Sequence, residues 1–186
     1  MKKSILTLAI TLLVGASSLF AQETKLVNKN GHISFFSHTA IEDIEAHNYK
    51  VTSTVDMTSG AVVFSVPMQS YEFEKAAMQK HYNSPKFLDT KTYPKSKFVG
   101  KITNLSDVNF STDGTYNVTI DGELTMHGVT KSITASATIV VKGAKITLTS
   151  ELKVTLADYK IAFEDGKPST NIAKTIDITV NTEYSR

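Results

Sequence analysis

Five histidines are the side chains in this sequence best suited to hold a metal ion or to transfer a proton. They are His32, His38, His47, His81 and His127. A strand or helix that directs two imidazoles at one zinc ion commonly spaces them as H-x-H or H-E-x-x-H, and neither spacing occurs here. A zinc site would require histidines from distant parts of the chain to converge. The sequence therefore predicts no metal site.

Motifs that would activate a nucleophile or bind phosphate are also missing, although Ser, His and Asp residues are plentiful. The chain has no cysteine, no G-x-S-x-G elbow and no glycine-rich phosphate loop. His81 follows a helix-forming stretch, where contact with the helix C-terminus or with a ligand would explain it equally well. His127 precedes Gly128 in a turn, and we expect it to hydrogen-bond the turn backbone. The sequence predicts no catalytic residue and a protein that is not an enzyme.

β-strands are the elements that must position these side chains, because apolar and polar residues alternate along most of the chain. The clearest example runs from Ala144 to Leu156, where Ile, Leu and Val alternate with Lys, Thr and Glu. A period of two places the apolar side chains on one face of a strand. Similar alternation recurs in 49–57, 62–68, 116–126, 133–141 and 176–184. With further strands near 32–41 and 96–110, we predict about eight strands.

The connections between these strands are short and rich in turn residues. Asp113-Gly114, Gly128 and Lys142-Gly143 favour antiparallel pairing over parallel crossovers. One helix is expected within 73–82, which holds good helix formers, and Pro85 prevents its continuation. Strands with one apolar face must pack as two layers or close into a barrel, and closure removes the exposed edges.

Two segments resemble the signature of a known family. Gly122 to Lys131, with the sequence GELTMHGVTK, resembles the G-x-L-T-x-H-G-V-T-[KR] hairpin of the YceI-like family. His81 to Phe98 is similar to that family's H-[LF]-x(n)-[FY]-[FLM]-[DE]-x-x-x-[YF]-P-x-x-x-F run. The family often carries an Arg-Asp pair just before the helical histidine, whereas Met78 and Gln79 stand there in this chain.

The resemblance covers most of the chain beyond residue 22 and implies an all-β fold. The expected architecture is an eight-stranded antiparallel lipocalin-like barrel with one short helix after the third strand. The resemblance also implies that the barrel is exported and binds an isoprenoid or a similar long apolar lipid in its interior. No cofactor is expected, apart from an isoprenoid or quinone-like lipid as the bound ligand.

Inward-facing side chains decide whether such a barrel is hollow. Alternation by itself favours an ordinary packed core, whereas the family resemblance favours a narrow apolar tunnel. Met78 and Tyr82 lie about one helical turn apart and could cap the opening. The predicted ligand-lining set consists of these two residues and inward apolar or aromatic residues of the strands: Phe64, Val66, Met68, Met78, Tyr82, Phe98, Tyr116, Val118, Ile120, Leu124, Ile146, Leu148 and Ile178.

The first residues have the pattern of a secretory signal peptide. Lys2 and Lys3 precede the apolar run from Ile5 to Ala16, and a small-residue region ends at Ala21. We expect a signal peptide at 1–21 and one lipid-binding β-barrel domain at 22–186. Because no cysteine is present for lipid attachment, we expect a periplasmic or secreted protein.

The net charge of the chain indicates which classes of partner are expected. The formal net charge of +2 includes Lys2 and Lys3, so the remainder is close to neutral. Without a basic cluster interleaved with aromatic residues, nucleic-acid binding is not expected. The expected partners are an apolar lipid ligand and, transiently, a membrane or membrane protein. The oligomeric state stays open.

Three hypotheses of function follow from these observations. The leading one is a periplasmic binding or carrier protein for a polyisoprenoid, a quinone-like lipid or a fatty amphiphile. An alternative is an enzyme that isomerises or hydrolyses a lipid-like substrate in the same cavity, with His81 or His127 facing the tunnel. Another is a stress-related interaction module whose core is filled and whose outer face binds a partner.

Overall fold

Antiparallel strands dominate the computed structural model, which describes residues 24–162 and 171–186. The predicted signal peptide at 1–21 lies outside the described residues. Within them, the strands are β1 (Lys25–His38), β2 (Asp43–Asp56), β3 (Ala61–Pro67), β4 (Glu72–Phe73), β5 (Lys95–Ile102), β6 (Gly114–Met126), β7 (Val129–Lys142), β8 (Lys145–Thr155) and β9 (Thr175–Ser185). The single α-helix of this part, α1, spans Ala76–Asn83, and short 3-10 segments occupy Met68–Ser70, Leu105–Asp107 and Leu156–Tyr159.

Eight of these strands close into a barrel. The sheet follows the order β1-β9-β8-β7-β6-β5-β3-β2, and β1 also pairs with β2, so the first and last strands of that order meet. All of these pairings are antiparallel. Strand β4 is a two-residue addition that pairs only with Ala46 and His47 of β2. The predicted eight-stranded antiparallel barrel is confirmed.

The helix follows β3 and the short β4, as the sequence predicted. It is bound to the barrel rim through Gln79, whose Nε2 donates to the Tyr71 backbone carbonyl at 2.9 Å. Tyr82 is the buried residue of α1 and faces the barrel. No helix among residues 24–162 and 171–186 is both long and apolar enough to cross a membrane.

The hairpin of β6 and β7 has the longest uninterrupted register in the sheet, from Gly114 opposite Val141 to Met126 opposite Val129. His127 and Gly128 form its two-residue turn with φ angles of 50° and 74°. Positive φ at both positions is typical of the type I′ turn that matches the twist of a hairpin. A Cβ at residue 128 would also lie 2.7 Å from Cε1 of Tyr93, so glycine is required there.

One end of the barrel is filled by its own side chains. Tyr184 is buried there, and its hydroxyl hydrogen-bonds Ser53 Oγ at 2.8 Å and accepts from Thr182 Oγ1 at 3.1 Å. The large side chains packed at this core are Val55, Ile102, Ile139, Val141 and Ile146, each at most 2% exposed. The other end, near α1 and the β1–β2 hairpin, contains open space.

Candidate functional site

The larger of two interior cavities lies at the helical end of the barrel. It has a volume of about 390 Å³. Its walls come from β1, β2, α1, the 3-10 segments at Met68 and Leu156, and β9, together with Phe87, Leu88, Ile161 and Ile172. Most of these side chains are apolar; the polar or ionisable ones are Ser37, Glu42, Tyr71, His81, Tyr82 and Asn171. A site of this size and composition is typical of small-molecule binding pockets.

A smaller cavity of about 100 Å³ lies deeper, between the strands. Ser96 and Ser150 are its polar lining residues, and each donates its hydroxyl to a backbone carbonyl, Ser96 to Thr125 and Ser150 to Ser136. The remaining lining residues are apolar, apart from the tyrosine that it shares with the larger cavity. Both cavities are bordered by Met68, Tyr71, Met126 and Ile178. The two spaces are therefore adjacent, with these four side chains between them, and together they lead from the helical end into the barrel.

An aromatic cluster joins the helix to this path. The ring of Tyr82 lies 5.0 Å from that of Phe73, 5.6 Å from that of Tyr71 and 6.0 Å from that of Phe35, measured between centroids. Aromatic pairs at these separations contribute about 0.5–1.5 kcal/mol each beyond the area they bury. The cluster fixes α1 over the larger cavity.

Two tyrosines of the cluster are kept neutral by their surroundings. Burial raises the pKa of the Tyr71 hydroxyl above its usual value. Burial, and then the neighbouring Tyr71, raises the pKa of Tyr82 well above its usual value. Removal of a phenol from water penalises the charged phenolate, so both hydroxyls keep their protons and can donate hydrogen bonds.

Phe98 takes its position from a pair of glycines. Gly100 of β5 lies opposite Gly122 of β6. A Cβ at residue 100 would lie 2.6 Å, and one at residue 122 would lie 2.7 Å, from Cζ of Phe98. Because neither glycine has a side chain, the Phe98 ring can lie over both and line the smaller cavity.

Ten of the thirteen residues predicted to line a tunnel border the two cavities. Met78 and Tyr82 border the larger one, Met68 and Ile178 border both, and the smaller cavity adds Phe64, Val66, Phe98, Ile120, Leu124 and Leu148. The structure thus brings these ten side chains to two adjacent cavities. Their contact with a ligand stays a prediction.

Tyr116, Val118 and Ile146 border neither of these cavities, and their contact with a ligand also stays a prediction. Val118 and Ile146 do face inward and are 3% and 2% exposed, but they lie in the filled part of the barrel. Tyr116 is half-buried near the β5–β6 connection, and its hydroxyl donates to the Thr112 carbonyl at 3.0 Å. Alternation predicted the face of each strand correctly but not its position along the barrel axis.

Several cavity residues were missed by the sequence analysis. Among them are Phe35, Tyr71, Phe73, Met126, Leu156 and Ile161. Tyr71 and Phe73 lie in the irregular segment before α1, and Leu156 and Ile161 lie in or beside a 3-10 segment, where alternation gives no signal. Met126 was part of an alternating pattern, and its position immediately before the turn was the available signal.

Two of the histidines are neighbours, and His81 and His127 lie elsewhere. On the outer face, His32 Nε2 lies 3.1 Å from His47 Nδ1, and His47 Nε2 lies 3.5 Å from Glu45. His127 Nδ1 contacts the Tyr159 carbonyl at 3.2 Å, so it bonds a neighbouring segment and not its own turn. His81 borders the larger cavity. Within the part of the chain that the structure describes, no three His, Cys, Asp or Glu residues are arranged to hold a metal ion.

Curated proteins are similar to this chain in sequence. A UPF0312 protein of Pseudomonas putida strain F1 is 34% identical over 150 residues, which are 74% of this chain and 73% of the relative. Protein YceI of Escherichia coli O17:K52:H18 is 27% identical over 194 residues, covering 96% of this chain and 97% of the relative.

Solved structures share the fold. A polyisoprenoid binding domain from Saccharophagus degradans superposes with a TM-score of 0.72 at 13% identity, covering 87% of this chain and 98% of that domain. BcnA of Burkholderia cenocepacia superposes with a TM-score of 0.70 at 18% identity, covering 82% and 95% respectively. The YceI-like domain family matches residues 25–184, which include every strand of the barrel except the last residue of β9. This chain belongs to the YceI-like family.

Proposed function

We propose that this protein binds a long apolar lipid in the two adjacent cavities and carries it through an aqueous compartment. The observation that carries the proposal is the mainly apolar cavity of about 390 Å³, which shares four wall residues with a deeper apolar cavity. The related fold of a protein described as a polyisoprenoid binding domain supports an isoprenoid as the ligand. A quinone-like lipid or another fatty amphiphile would suit the same walls.

Burial of the lipid chain supplies the binding energy. Each methylene moved from water to an apolar wall contributes about 0.8 kcal/mol. Ten enclosed methylenes therefore yield about 8 kcal/mol, from which the cost of immobilising the chain is subtracted. Neither a charged contact nor a chemical reaction is needed for a carrier. A protein with an entirely filled core would lack this energy source, which disfavours the interaction-module hypothesis.

The compartment and the partner also belong to the proposal. The basic, apolar and small-residue pattern of the first 21 residues supports export to the periplasm or beyond. A lipid carrier must load and unload at a membrane or a membrane protein, so a transient contact of this kind is part of the proposed function. N-terminal sequencing of the exported protein should show Gln22 as its first residue. Retention of Met1 would contradict the signal-peptide assignment.

The decisive experiment is identification of lipids that accompany the protein. The exported protein is purified without detergent, extracted with organic solvent and analysed by mass spectrometry. Ala135→Phe is the test variant because Ala135 borders the smaller cavity, and Ala144→Leu is the control because Ala144 is exposed in the β7–β8 turn. We expect near-stoichiometric lipid in the wild type and control, and less in Ala135→Phe. Equal lipid in all three proteins, or none in any, would contradict binding in this space.

An enzyme is the second candidate because His81 borders the larger cavity. A lipid-like substrate held there would place a proton-transfer group beside it. The two functions separate in a His81→Gln variant. A carrier retains ligand binding and shows no turnover in either form, whereas an enzyme loses turnover while binding persists.

A further inference from the structure

Among residues 24–162 and 171–186, the wall of the larger cavity contains two tyrosine hydroxyls that have no hydrogen-bond acceptor. Tyr82 is 6% exposed, and its hydroxyl is buried without a hydrogen-bond partner. Tyr71 is also 6% exposed, and its hydroxyl makes no hydrogen bond within residues 24–162 and 171–186. Buried polar groups in folded proteins are nearly always paired, so two unpaired hydroxyls beside one cavity require an explanation.

Tyr184 shows how this chain normally treats a buried tyrosine. Its hydroxyl, at the filled end of the same barrel, is bonded to Ser53 and Thr182. Tyr71 and Tyr82 have no such neighbours, and their rings lie only 5.6 Å apart on the wall of the larger cavity. The difference indicates that the acceptor for these two hydroxyls comes from a bound molecule.

We propose that Tyr71 and Tyr82 together bind a neutral carbonyl oxygen of the lipid, inside the barrel and beneath α1. The inference rests on the proposed lipid-binding function and narrows the ligand to ketones, quinones, esters and related carbonyl lipids. A carbonyl oxygen has two lone pairs and accepts two hydrogen bonds, one from each hydroxyl. Because Tyr71 borders both cavities, the carbonyl lies near their junction and not at the mouth.

The charges around the cavity favour a neutral group over an anionic one. No lysine or arginine is among the described residues that line the larger cavity, and Glu42 is the one carboxylate among them. His81 is the one imidazole among them. A carboxylate or phosphate head placed at Tyr71 would lose its hydration without gaining a lysine or arginine partner. A neutral carbonyl loses less hydration and gains both hydroxyls.

The test uses two probes of equal chain length, 2-pentadecanone and pentadecane, which differ in one carbonyl group. Their affinities are measured by displacement of a fluorescent apolar dye from delipidated full-length mature protein. The variants are Tyr71→Phe and Tyr82→Phe, with Tyr116→Phe as the matched control outside the cavities. We expect the wild type and the control to bind the ketone at least tenfold more tightly than the hydrocarbon. Each test variant should lower ketone affinity about tenfold and leave pentadecane affinity unchanged, because one hydrogen bond is lost.

The thermal midpoint of the unliganded variants provides a second readout. Loss of an unpaired hydroxyl removes no hydrogen bond, so Tyr82→Phe should unfold at the same temperature as the wild type or higher. Equal affinity for both probes in the wild type would overturn the carbonyl inference and leave lipid binding intact. Binding of neither probe would overturn the proposed function as well. A clear drop in the midpoint of unliganded Tyr82→Phe would show that its hydroxyl already has a structural partner.

Discussion

Cζ of the Phe98 ring lies 2.7 Å from the position that a Cβ atom would occupy at Gly122. The same point is 2.5 Å from the Val99 carbonyl oxygen, so the backbones of β5 and β6 also approach closely here. Gly122 thus permits both the strand pairing and the placement of Phe98 in the cavity wall. The glycine of the G-x-L-T signature acquires a physical reason from this contact.

Gly122→Ala is expected to lower the free energy of unfolding by about 1–3 kcal/mol, because the added methyl group overlaps backbone atoms that cannot move independently. Denaturant unfolding measures the change. Glu123→Ala is the control, since Glu123 is the exposed neighbour on the same strand and should change stability by less than about 0.5 kcal/mol. Equal stability of Gly122→Ala and the wild type would show that β5 and β6 can move apart at this point without a loss of free energy of unfolding.

Tyr184→Phe should destabilise the protein by about 1–3 kcal/mol, because Ser53 and Thr182 would lose their shared partner inside the core. Thermal or denaturant unfolding of the unliganded protein measures this loss. The contrast with Tyr82→Phe is the informative part, since both substitutions remove one buried hydroxyl. If the two variants lost the same stability, the distinction between a paired and an unpaired tyrosine would fail.

Truncation of two inward isoleucines should distinguish the filled end from the hollow end. Ile146 is 2% exposed and packed on all sides, so Ile146→Ala should cost about 3–5 kcal/mol. Ile178 already faces both cavities, so Ile178→Ala removes fewer contacts and should cost about 1–2 kcal/mol in the unliganded protein. Unfolding of delipidated protein gives both values. A larger cost at Ile178 would contradict the position of the empty space.

Stability should decrease below about pH 6.5 because of His32. Burial, with the nearby His47, lowers the pKa of the His32 side chain below its ordinary value of 6.5 in the folded protein. Below pH 6.5 the unfolded chain therefore binds a proton more readily than the folded chain, and stability falls until the folded-state pKa is reached. Glu45 opposes this shift but is a smaller influence.

The pH effect is measured as the thermal midpoint of wild type and His32→Gln between pH 8 and pH 5. The difference between the two proteins removes the titration of other groups. We expect the difference to be constant above pH 7 and to shift in favour of His32→Gln as the pH falls through 6.5. A pH-independent difference would show that the His32 pKa is the same in both states.

Strand alternation was sufficient to predict the all-β class and the inward face of each long strand. It misjudged ends: the strand expected at 96–110 is β5 and stops at Ile102, and the helix expected from 73 begins at Ala76. Thr103 to Asp113 keep apolar residues at intervals but form turns and a 3-10 segment. The alternation of apolar and polar residues cannot specify where a strand ends, because the end depends on how far the neighbouring strand pairs with it.

The sequence by itself determined an all-β protein, because a period of two leaves one apolar face on each strand, and the resemblance of two segments to the YceI-like family favoured a closed barrel over two packed layers. The sequence also identified ten of the residues around the cavities, since these lie on the inward faces of strands or on α1. Only the tertiary structure decided where that space lies, because side chains from strands far apart in sequence fill one end and α1 holds the other open. Only the tertiary structure could also show that the hydroxyls of Tyr71 and Tyr82 have no hydrogen-bond partner among the described residues, because that depends on which side chains surround them.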